Sequence, residues 1–330
     1  MSDQRTHDRH AFLAETDWAD AQFIPLTGDA SARRYFRTHS QHPAILMDAP
    51  PQTCGSLKPF VDMAQYLSAL GLSAPQIFAS DLQSGFLVLE DFGDDDFASL
   101  IDRDASLENS YYFSAIDVIH NVLDADPAQV ANYDIPQLAS ACDLAFLHYT
   151  PQPATIMNEA LTAIEDALAP FQTELRTSLR DFHAQNLHWL SKRAGVARVG
   201  LLDFQDAVNT LPSYDLVSLL RDVRREVSDD FAQSARETFA KRRGLDHDAF
   251  QNEFHLVAVQ RNLRILGIFA RLSQQMGKPH YVDLIPRVWR LLQADLKHPP
   301  LAKLRAQLNA ILTEPDHAHL ERLRQPCLTQ

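Results

Sequence analysis

The chain has 330 residues, and 45% of them are hydrophobic, which is enough to bury a substantial core and too much for a disordered protein. It carries 30 Lys and Arg against 43 Asp and Glu, a formal net charge of −13, which disfavours binding to a nucleic-acid backbone. The three cysteines, Cys54, Cys142 and Cys327, form no CxxC pair, so a reducing, cytoplasmic setting is expected. No signal-peptide core or membrane-spanning apolar run is present, so secretion and membrane association are not expected.

Short extended segments predict an antiparallel sheet in roughly the first 90 residues. The segments are AQFIPL, RYFRT, AILM, QIFAS and GFLVLED, with turn residues between them. Between the third and fourth segments, apolar residues from Leu57 to Leu70 recur at three- and four-residue intervals, and Gly71 follows as a stop signal. A small α+β lobe with one amphipathic helix is therefore expected.

Helical periodicity dominates after the acidic segment EDFGDDD. Helices are predicted at about 108–124, 137–149, 154–169, 213–226, 229–242, 248–275, 281–297 and 300–313. Two short β-like pieces, within LRDFHAQNLHWL and VGLLDF, interrupt them. We therefore predict an α+β, bilobal chain, with an N-terminal lobe over residues 1–91 and a larger, mainly helical lobe over residues 92–330.

Two motifs concentrate the residue types that chemistry needs. In the first, Asp181 precedes Asn186 by five positions, and in the second Asp203 ends an apolar strand 22 residues after Asp181. Taken singly, each residue would also suit a turn, a helix cap or a strand end. Together they resemble the catalytic loop and the metal-binding Asp of the kinase fold.

The chemistry of phosphoryl transfer explains why these residue types would be needed. The reaction requires a carboxylate near the acceptor hydroxyl, and hard oxygen ligands for the cation that neutralises the nucleotide phosphates. The kinase resemblance implies that Asp181 is the catalytic residue and that Asn186 and Asp203 hold Mg²⁺.

A family resemblance follows from the same motifs. Asp-x-His-x-x-Asn followed by Leu-Leu-Asp-Phe is similar to the aminoglycoside phosphotransferase superfamily over about residues 22–300, which implies a protein-kinase-like fold, ATP as cofactor and a small-molecule hydroxyl as acceptor. The segments LTGDASARRYFR, ILMDAPP, LRDFHAQNL, GLLDFQDAV and YDLVSLLRD together resemble bacterial kinases that phosphorylate the anomeric hydroxyl of N-acetylmuramate and N-acetylglucosamine in cell-wall sugar recycling. The implied acceptor is an N-acetylated amino sugar.

Two other readings remain open at this stage. One is a kinase for a different acceptor, namely an aminoglycoside, choline or homoserine. An acidic acceptor pocket would favour a polycationic aminoglycoside, whereas a neutral or partly basic pocket would favour an acylamino sugar acid. The other is a catalytically weak, kinase-like binding module.

The segment from residue 27 to residue 35 is expected to turn over the nucleotide phosphates. Gly28, Asp29 and Ser31 belong to this turn, where small residues would let backbone amides approach phosphate oxygens. It is not a Walker A loop, because the Gly-Lys-Ser/Thr ending is missing. An ordinary hairpin turn is the alternative.

The third strand carries Met47 where protein kinases place a phosphate-binding lysine. The neighbouring Arg33 and Arg34 are candidate replacements, because a guanidinium suits phosphate recognition. Neighbouring strand residues face opposite sides, so only one of the two can point into a nucleotide cleft; solvated charges are the alternative. At the connector between the lobes, the backbone from Glu90 to Phe92 is expected to bind adenine.

Four more residues are candidates for the acceptor site or its support. The position of His183 suits either a hydrogen bond within the catalytic loop or a substrate contact. Gln205 and Asp206 follow the metal Asp and could bind a second cation or the sugar, or form a plain polar loop. Asp215 stands at the start of an amphipathic helix, and the kinase resemblance implies that it supports the backbone of the catalytic loop.

Overall fold

The computed structural model describes residues 3–26, 32–38 and 42–326. The predicted phosphate-turn residues Gly28, Asp29 and Ser31 lie outside the described residues. The chain divides into two compact units. Unit 1 consists of Met1–Ala128 and Ala184–Ala207, and unit 2 of Gln129–His183 and Val208–Gln330. The lobe boundary between residues 91 and 92 stays a prediction.

The strands are β1 (Phe23–Pro25), β2 (Arg34–Thr38), β3 (Ala44–Asp48), β4 (Ile77–Asp81), β5 (Phe86–Glu90), β6 (Arg176–Ser178), β7 (Leu187–Trp189), β8 (Val199–Leu201) and β9 (Val208–Thr210). The α-helices are α1 (Asp3–Ala14), α2 (Pro51–Cys54), α3 (Lys58–Ala69), α4 (Phe97–Arg103), α5 (Glu108–Asp124), α6 (Ile135–Ser140), α7 (Ala154–Leu168), α8 (Tyr214–Leu220), α9 (Asp229–Arg243), α10 (His247–Met276), α11 (Ile285–Leu296), α12 (Ala302–Ile311) and α13 (His317–Arg324). The α+β class, with its antiparallel sheet followed by a mainly helical part, is confirmed.

Unit 1 is built on a five-stranded antiparallel sheet in the order β1-β2-β3-β5-β4. In the register, Arg34 lies opposite Asp48, and Tyr35 lies opposite Met47. Successive strand residues face opposite sides, so these two pairs lie on opposite faces of the sheet.

The sheet of unit 1 carries an apolar cluster on one of its faces. On one face, Leu13 and Trp18 pack against an apolar cluster of Ala44, Leu46, Phe86 and Val88. Leu13 belongs to α1, a helix that the sequence did not predict because most of its residues are polar. The helix expected between the third and fourth strands is α3, which buries Phe60, Met63, Ala64 and Leu67.

Unit 2 is organised around the 30-residue helix α10, which buries residues along most of its length. At Gly267, a Cβ atom would lie 2.1 Å from the backbone carbon of Leu144, so only glycine allows this close approach. Among the described residues, no helix combines the length and the apolar character that crossing a bilayer requires.

Three predicted helices of unit 2 differ from those observed. The single helix expected at 137–149 is α6 followed by a π-helical turn, Ala145–Tyr149. The helix expected at 213–226 ends at Leu220, and the Asp222 carboxylate then accepts a hydrogen bond from the Arg224 N–H, 2.8 Å away, in a turn. The helix expected at 281–297 divides into a 3-10 turn, Pro279–Leu284, and α11, which has a proline in its first turn.

Candidate active site

A short hairpin in unit 1 brings two of the predicted metal ligands to one end of a ladder. β7 and β8 pair antiparallel, with Leu187 opposite Leu201. The ladder continues one step further, because the Leu202 N–H donates to the Asn186 carbonyl over 3.0 Å. Asn186 therefore sits at the open end of the hairpin, and Asp203 follows on the opposite strand.

The conformation of Asp203 is held by its neighbours. It has a φ of 58°, in the left-handed region that a non-glycine residue rarely adopts. The next residue, Phe204, is fully buried and stacks on Phe60 of α3, with ring centroids 4.9 Å apart. Gln205 Nε2 donates to Asp203 Oδ1 over 2.7 Å. Packing on one side and a hydrogen bond on the other thus leave the exposed Asp203 carboxylate at the surface of a cavity.

That cavity has a volume of about 370 Å³ and lies entirely within unit 1. It is lined by Ala32, Arg33, Thr53, Cys54, Asp203, Gln205 and Asp206. A guanidinium and two carboxylates therefore share one open cavity. This combination can bind an anion through the arginine and a hydrated cation through the carboxylates.

A tyrosine of β2 contacts Arg33 and lies opposite Met47, the residue at the lysine position. The Tyr35 hydroxyl is hydrogen-bonded to the Arg33 side chain. Burial is the largest cause that raises the pKa of Tyr35, so its phenol is neutral at pH 7. Met47, the cross-strand neighbour of Tyr35, is 1% exposed. An apolar side chain thus fills the lysine position while Tyr35 contacts the arginine.

Arg34 is engaged on the opposite face of the sheet. Its Nη2 lies 2.5 Å from Oδ2 of Asp48, a fully buried carboxylate. Arg5 of α1 binds the same carboxylate, with its Nε 2.8 Å from Oδ1. Of the two predicted arginines, the structure therefore places Arg33 in the cavity with Asp203, and Arg34 in an ion pair away from it.

The backbone segment from Glu90 to Phe92, predicted to bind adenine, already makes some contacts within unit 1. The Glu90 N–H donates to the Gln76 carbonyl over 2.8 Å, and the Glu90 carboxylate pairs with Arg193 over 2.5 Å. The Phe92 ring packs so closely on Gly200 that a Cβ atom there would lie 2.8 Å from it. An adenine ring bound along this segment would therefore use backbone groups other than the Glu90 N–H.

The catalytic-loop residues of unit 2 are held by the start of α8. Asp215 is buried, and its carboxylate accepts hydrogen bonds from the Ser178 hydroxyl and the backbone N–H groups of Leu179 and Arg180, over 2.6 to 3.0 Å. Burial raises the pKa of Asp215 to about 6, even though these three donors favour the charged form. The supporting contacts expected of Asp215 are thus present.

The carbonyl of Arg180 is held from the same helix. Ser218 donates to this carbonyl over 2.9 Å, and Arg261 of α10 donates to the Ser218 hydroxyl over 2.7 Å. Arg180 has a φ of 66°, so Asp215 and Ser218 grip a left-handed residue from both of its peptide groups. Asp181 follows directly, with a partly exposed side chain. The sequence reasoning did not find Ser218, although its place three residues after Asp215 puts both on one helix face.

His183 is a buried, neutral residue. It is 4% exposed, and burial, followed by the charges of Arg224 and Arg261, holds its pKa well below the usual value. A buried ring near two guanidinium groups favours the structural role over direct substrate contact. Together, Asp181, His183 and Asp215 lie in unit 2, whereas Asn186, Asp203, Gln205 and Asp206 lie in unit 1.

Comparison with known proteins identifies the family of the chain. Residues 22–250 match the model of a phosphotransferase enzyme family. The chain is 36% identical to an N-acetylmuramate/N-acetylglucosamine kinase from Caulobacter vibrioides, covering 93% of this chain and 96% of that protein. It is 31% identical to a protein of the same name from Pseudomonas aeruginosa, covering 89% and 90%.

Solved structures show the same fold at lower identity. An aminoglycoside phosphotransferase from Streptomyces rimosus, in complex with ADP and streptomycin, has a TM-score of 0.54 and 19% identity, covering 78% of this chain and 98% of that one. A choline/ethanolamine kinase family protein from Mesorhizobium loti has a TM-score of 0.62 and 15% identity, covering 93% and 99%. With the motifs and the supporting contacts in place, this chain belongs to the phosphotransferase enzyme family and is an enzyme of the kinase type.

Proposed function

We propose that this enzyme transfers the γ-phosphoryl group of ATP to the anomeric hydroxyl of an N-acetylated amino sugar, N-acetylmuramate or N-acetylglucosamine, in the cytoplasm. The observation that carries the proposal is the similarity to kinases named for these two sugars over nine-tenths of the chain, in a chain that retains Asp181, Asn186 and Asp203.

The charges around Asp181 in unit 2 argue against a polycationic acceptor. Burial lowers the pKa of Arg261, and Asp181 lies close enough for its carboxylate to oppose that shift. Burial also lowers the pKa of His183, and Arg224 lies close enough to lower it further. The nearby carboxylates of Asp215 and Asp222 are buried and already accept backbone hydrogen bonds. An aminoglycoside would therefore be repelled by the exposed Arg224 and by the charge of the buried Arg261, whereas a neutral or anionic sugar would not.

In the proposed mechanism, Asp181 orients the acceptor hydroxyl and takes its proton. The hydroxyl oxygen forms a bond to the γ-phosphorus, and the bond from that phosphorus to the bridging oxygen breaks, so that ADP leaves with the electron pair. Arg33 binds phosphate oxygens from the unit 1 cavity. Asp215 and Ser218 keep the backbone before Asp181 in place, which reduces the reorganisation needed for transfer.

A magnesium ion fits the donors that unit 1 supplies. Asn186 and Asp203 offer an amide and a carboxylate oxygen, the hard ligands that this ion prefers. Within residues 3–26, 32–38 and 42–326, no group of three or more His, Cys, Asp or Glu side chains could hold a metal by itself. This suits an ion that keeps several waters and binds nucleotide phosphates. When bound, Mg²⁺ would neutralise charge on those phosphates.

The test is a panel of acceptors: N-acetylmuramate, N-acetylglucosamine, an aminoglycoside, choline and homoserine. We expect Mg²⁺-dependent ATP consumption with the amino sugars, and phosphorus NMR should show a sugar 1-phosphate. Asp181→Asn is the control for contaminating kinases. Turnover of choline, homoserine or the aminoglycoside in place of both sugars would refute the proposed acceptor, and nucleotide binding without any turnover would favour a binding module.

A further inference from the structure

The two sugars in the proposed function differ in one charged group. N-acetylmuramate carries a carboxylate on its lactyl ether, and N-acetylglucosamine has a hydroxyl at the same carbon. An enzyme that recognises this carboxylate needs a cation near the catalytic Asp that is accessible and not already paired. Unit 2 offers several arginines close to the catalytic loop, and their surroundings differ.

Most of these arginines are committed to the protein. Arg261 is 5% exposed and donates to Ser218, which in turn holds the backbone before Asp181. The Arg180 guanidinium lies over the Tyr133 ring, 5.2 Å from its centroid. Arg221 makes a buried ion pair with Asp295, with Nη2 2.8 Å from Oδ1. Each is occupied by packing, by a hydrogen bond or by an ion pair.

Arg224 is different. It is exposed, and within the described part of the chain its guanidinium makes no ion pair. Its backbone is fixed, because the Asp222 carboxylate accepts hydrogen bonds from the N–H groups of Arg224 and Arg225. Asp222 is 3% exposed, so this turn is anchored in the interior. The guanidinium thus projects from a rigid turn, and its charge acts on Asp222 without forming a salt bridge with any described residue.

The turn is also close to the catalytic loop. It begins two residues after α8, the helix whose Asp215 and Ser218 grip the peptide groups beside Asp181. Arg224 and Arg261 both lower the pKa of His183, which lies two residues after Asp181, although burial is the larger cause. An exposed cation that forms no salt bridge with a described residue is therefore close enough to act on His183, in the loop that would address the acceptor hydroxyl.

We propose that Arg224 binds the lactyl carboxylate of N-acetylmuramate and makes this enzyme prefer it over N-acetylglucosamine. The inference rests on the proposed function. A guanidinium fork suits a carboxylate, and its rigid turn lowers the entropy lost when the two groups meet. The carboxylate lies away from the anomeric hydroxyl, so Arg224 acts on acceptor binding and selectivity and leaves the nucleotide site unchanged.

The test compares both sugars with the wild type, Arg224→Gln and Arg224→Lys. We expect kcat/KM for N-acetylmuramate to fall by about ten- to a hundredfold in Arg224→Gln, and by less in Arg224→Lys, which keeps the charge and loses the fork. The values for N-acetylglucosamine and for ATP should stay within twofold of wild type, which also shows that the variant is folded. Lys303→Gln, which removes an exposed cation from α12 of the same unit, should change neither sugar.

The possible outcomes separate the two levels of the proposal. If Arg224→Gln lowers both sugars equally, or leaves N-acetylmuramate unchanged, the carboxylate role is wrong and the proposed function stands. A wild type that phosphorylates only N-acetylglucosamine also overturns the inference. A wild type that phosphorylates neither sugar overturns the proposed function together with it.

Discussion

The different environments of Arg33 and Arg34 predict opposite effects when each is replaced by alanine. Arg33 lines the cavity that contains Asp203, whereas Arg34 pairs with buried Asp48 on the other face of the sheet. Arg33→Ala should therefore impair catalysis with little loss of stability, and Arg34→Ala should do the reverse.

The size of the catalytic effect follows from the contact that is lost. A charge-assisted hydrogen bond to a phosphate is worth about 1.5–3 kcal/mol, so kcat/KM for ATP should fall by roughly ten- to a hundredfold in Arg33→Ala. Tyr35→Phe, which removes the hydroxyl bonded to Arg33, should have a smaller effect in the same direction. Initial rates at saturating acceptor and varied ATP measure both.

The stability effect depends on the second cation at Asp48. The Arg34 side chain is 37% exposed, and Arg5 still binds Asp48 when Arg34 is removed, so Arg34→Ala alone should cost only about 1 kcal/mol of unfolding free energy. Removing Arg5 as well leaves Asp48 buried without a cation, and the double variant should lose about 3–5 kcal/mol. Adding Asp48→Asn should recover part of that loss, because it removes the buried charge.

Urea unfolding of the single, double and triple variants gives these free energies. Equal increases in KM for ATP in Arg33→Ala and Arg34→Ala would refute the assignment of the two faces. So would unchanged ATP kinetics in Arg33→Ala, which would mean that backbone amides and Mg²⁺ hold the phosphates. Purely additive losses from Arg5→Ala and Arg34→Ala would show that the two cations do not share Asp48.

Three further predictions concern the catalytic set and its support. Asp181→Asn should remove nearly all transfer and leave ATP binding largely intact, whereas Asp203→Asn should weaken the Mg²⁺ dependence and the affinity for nucleotide. Calorimetric titration of ATP with and without Mg²⁺ distinguishes the two variants. The reverse pattern would contradict the roles assigned to these residues. Met47→Lys should destabilise the enzyme and not accelerate it, because Met47 is 1% exposed and α3 carries no glutamate to pair with a buried ammonium. The acid that α3 does carry, Asp62, is exposed and already pairs with Lys58. Faster transfer in this variant would argue against Arg33. The pKa of Asp215 is raised from 3.8 to about 6, so its ionised form destabilises the folded state. The unfolding free energy of the wild type relative to Asp215→Asn should therefore fall by up to about 3 kcal/mol as the pH rises from about 4 to about 7. A difference that does not change with pH would show that Asp215 is not perturbed.

Some of the site could be predicted from the sequence because its chemistry is local. Asp181, Asn186 and Asp203 fall within 23 consecutive residues, and phosphoryl transfer accepts few substitutes for a base and two oxygen ligands. The sheet of unit 1 was predictable for a similar reason, since β2, β3 and β5 each carry an extended apolar run with turn residues on either side. The helix α1 was missed, because its burial against the sheet depends on a few apolar residues in a polar segment.

Other features depend on contacts between residues that are distant in the chain. Strand alternation already implied that only one of Arg33 and Arg34 faces a cleft, but which one was decided by the register that sets Arg34 opposite Asp48, and by Arg5 reaching that carboxylate from α1. Likewise, no residue near Arg180 in the sequence predicts that Arg261, on α10, holds Ser218 and through it the Arg180 carbonyl. Residue type and local spacing therefore determine which groups can perform the reaction. Tertiary packing decides which partner holds or orients each group, because a buried charge is stabilised only by a partner that the fold brings within contact distance.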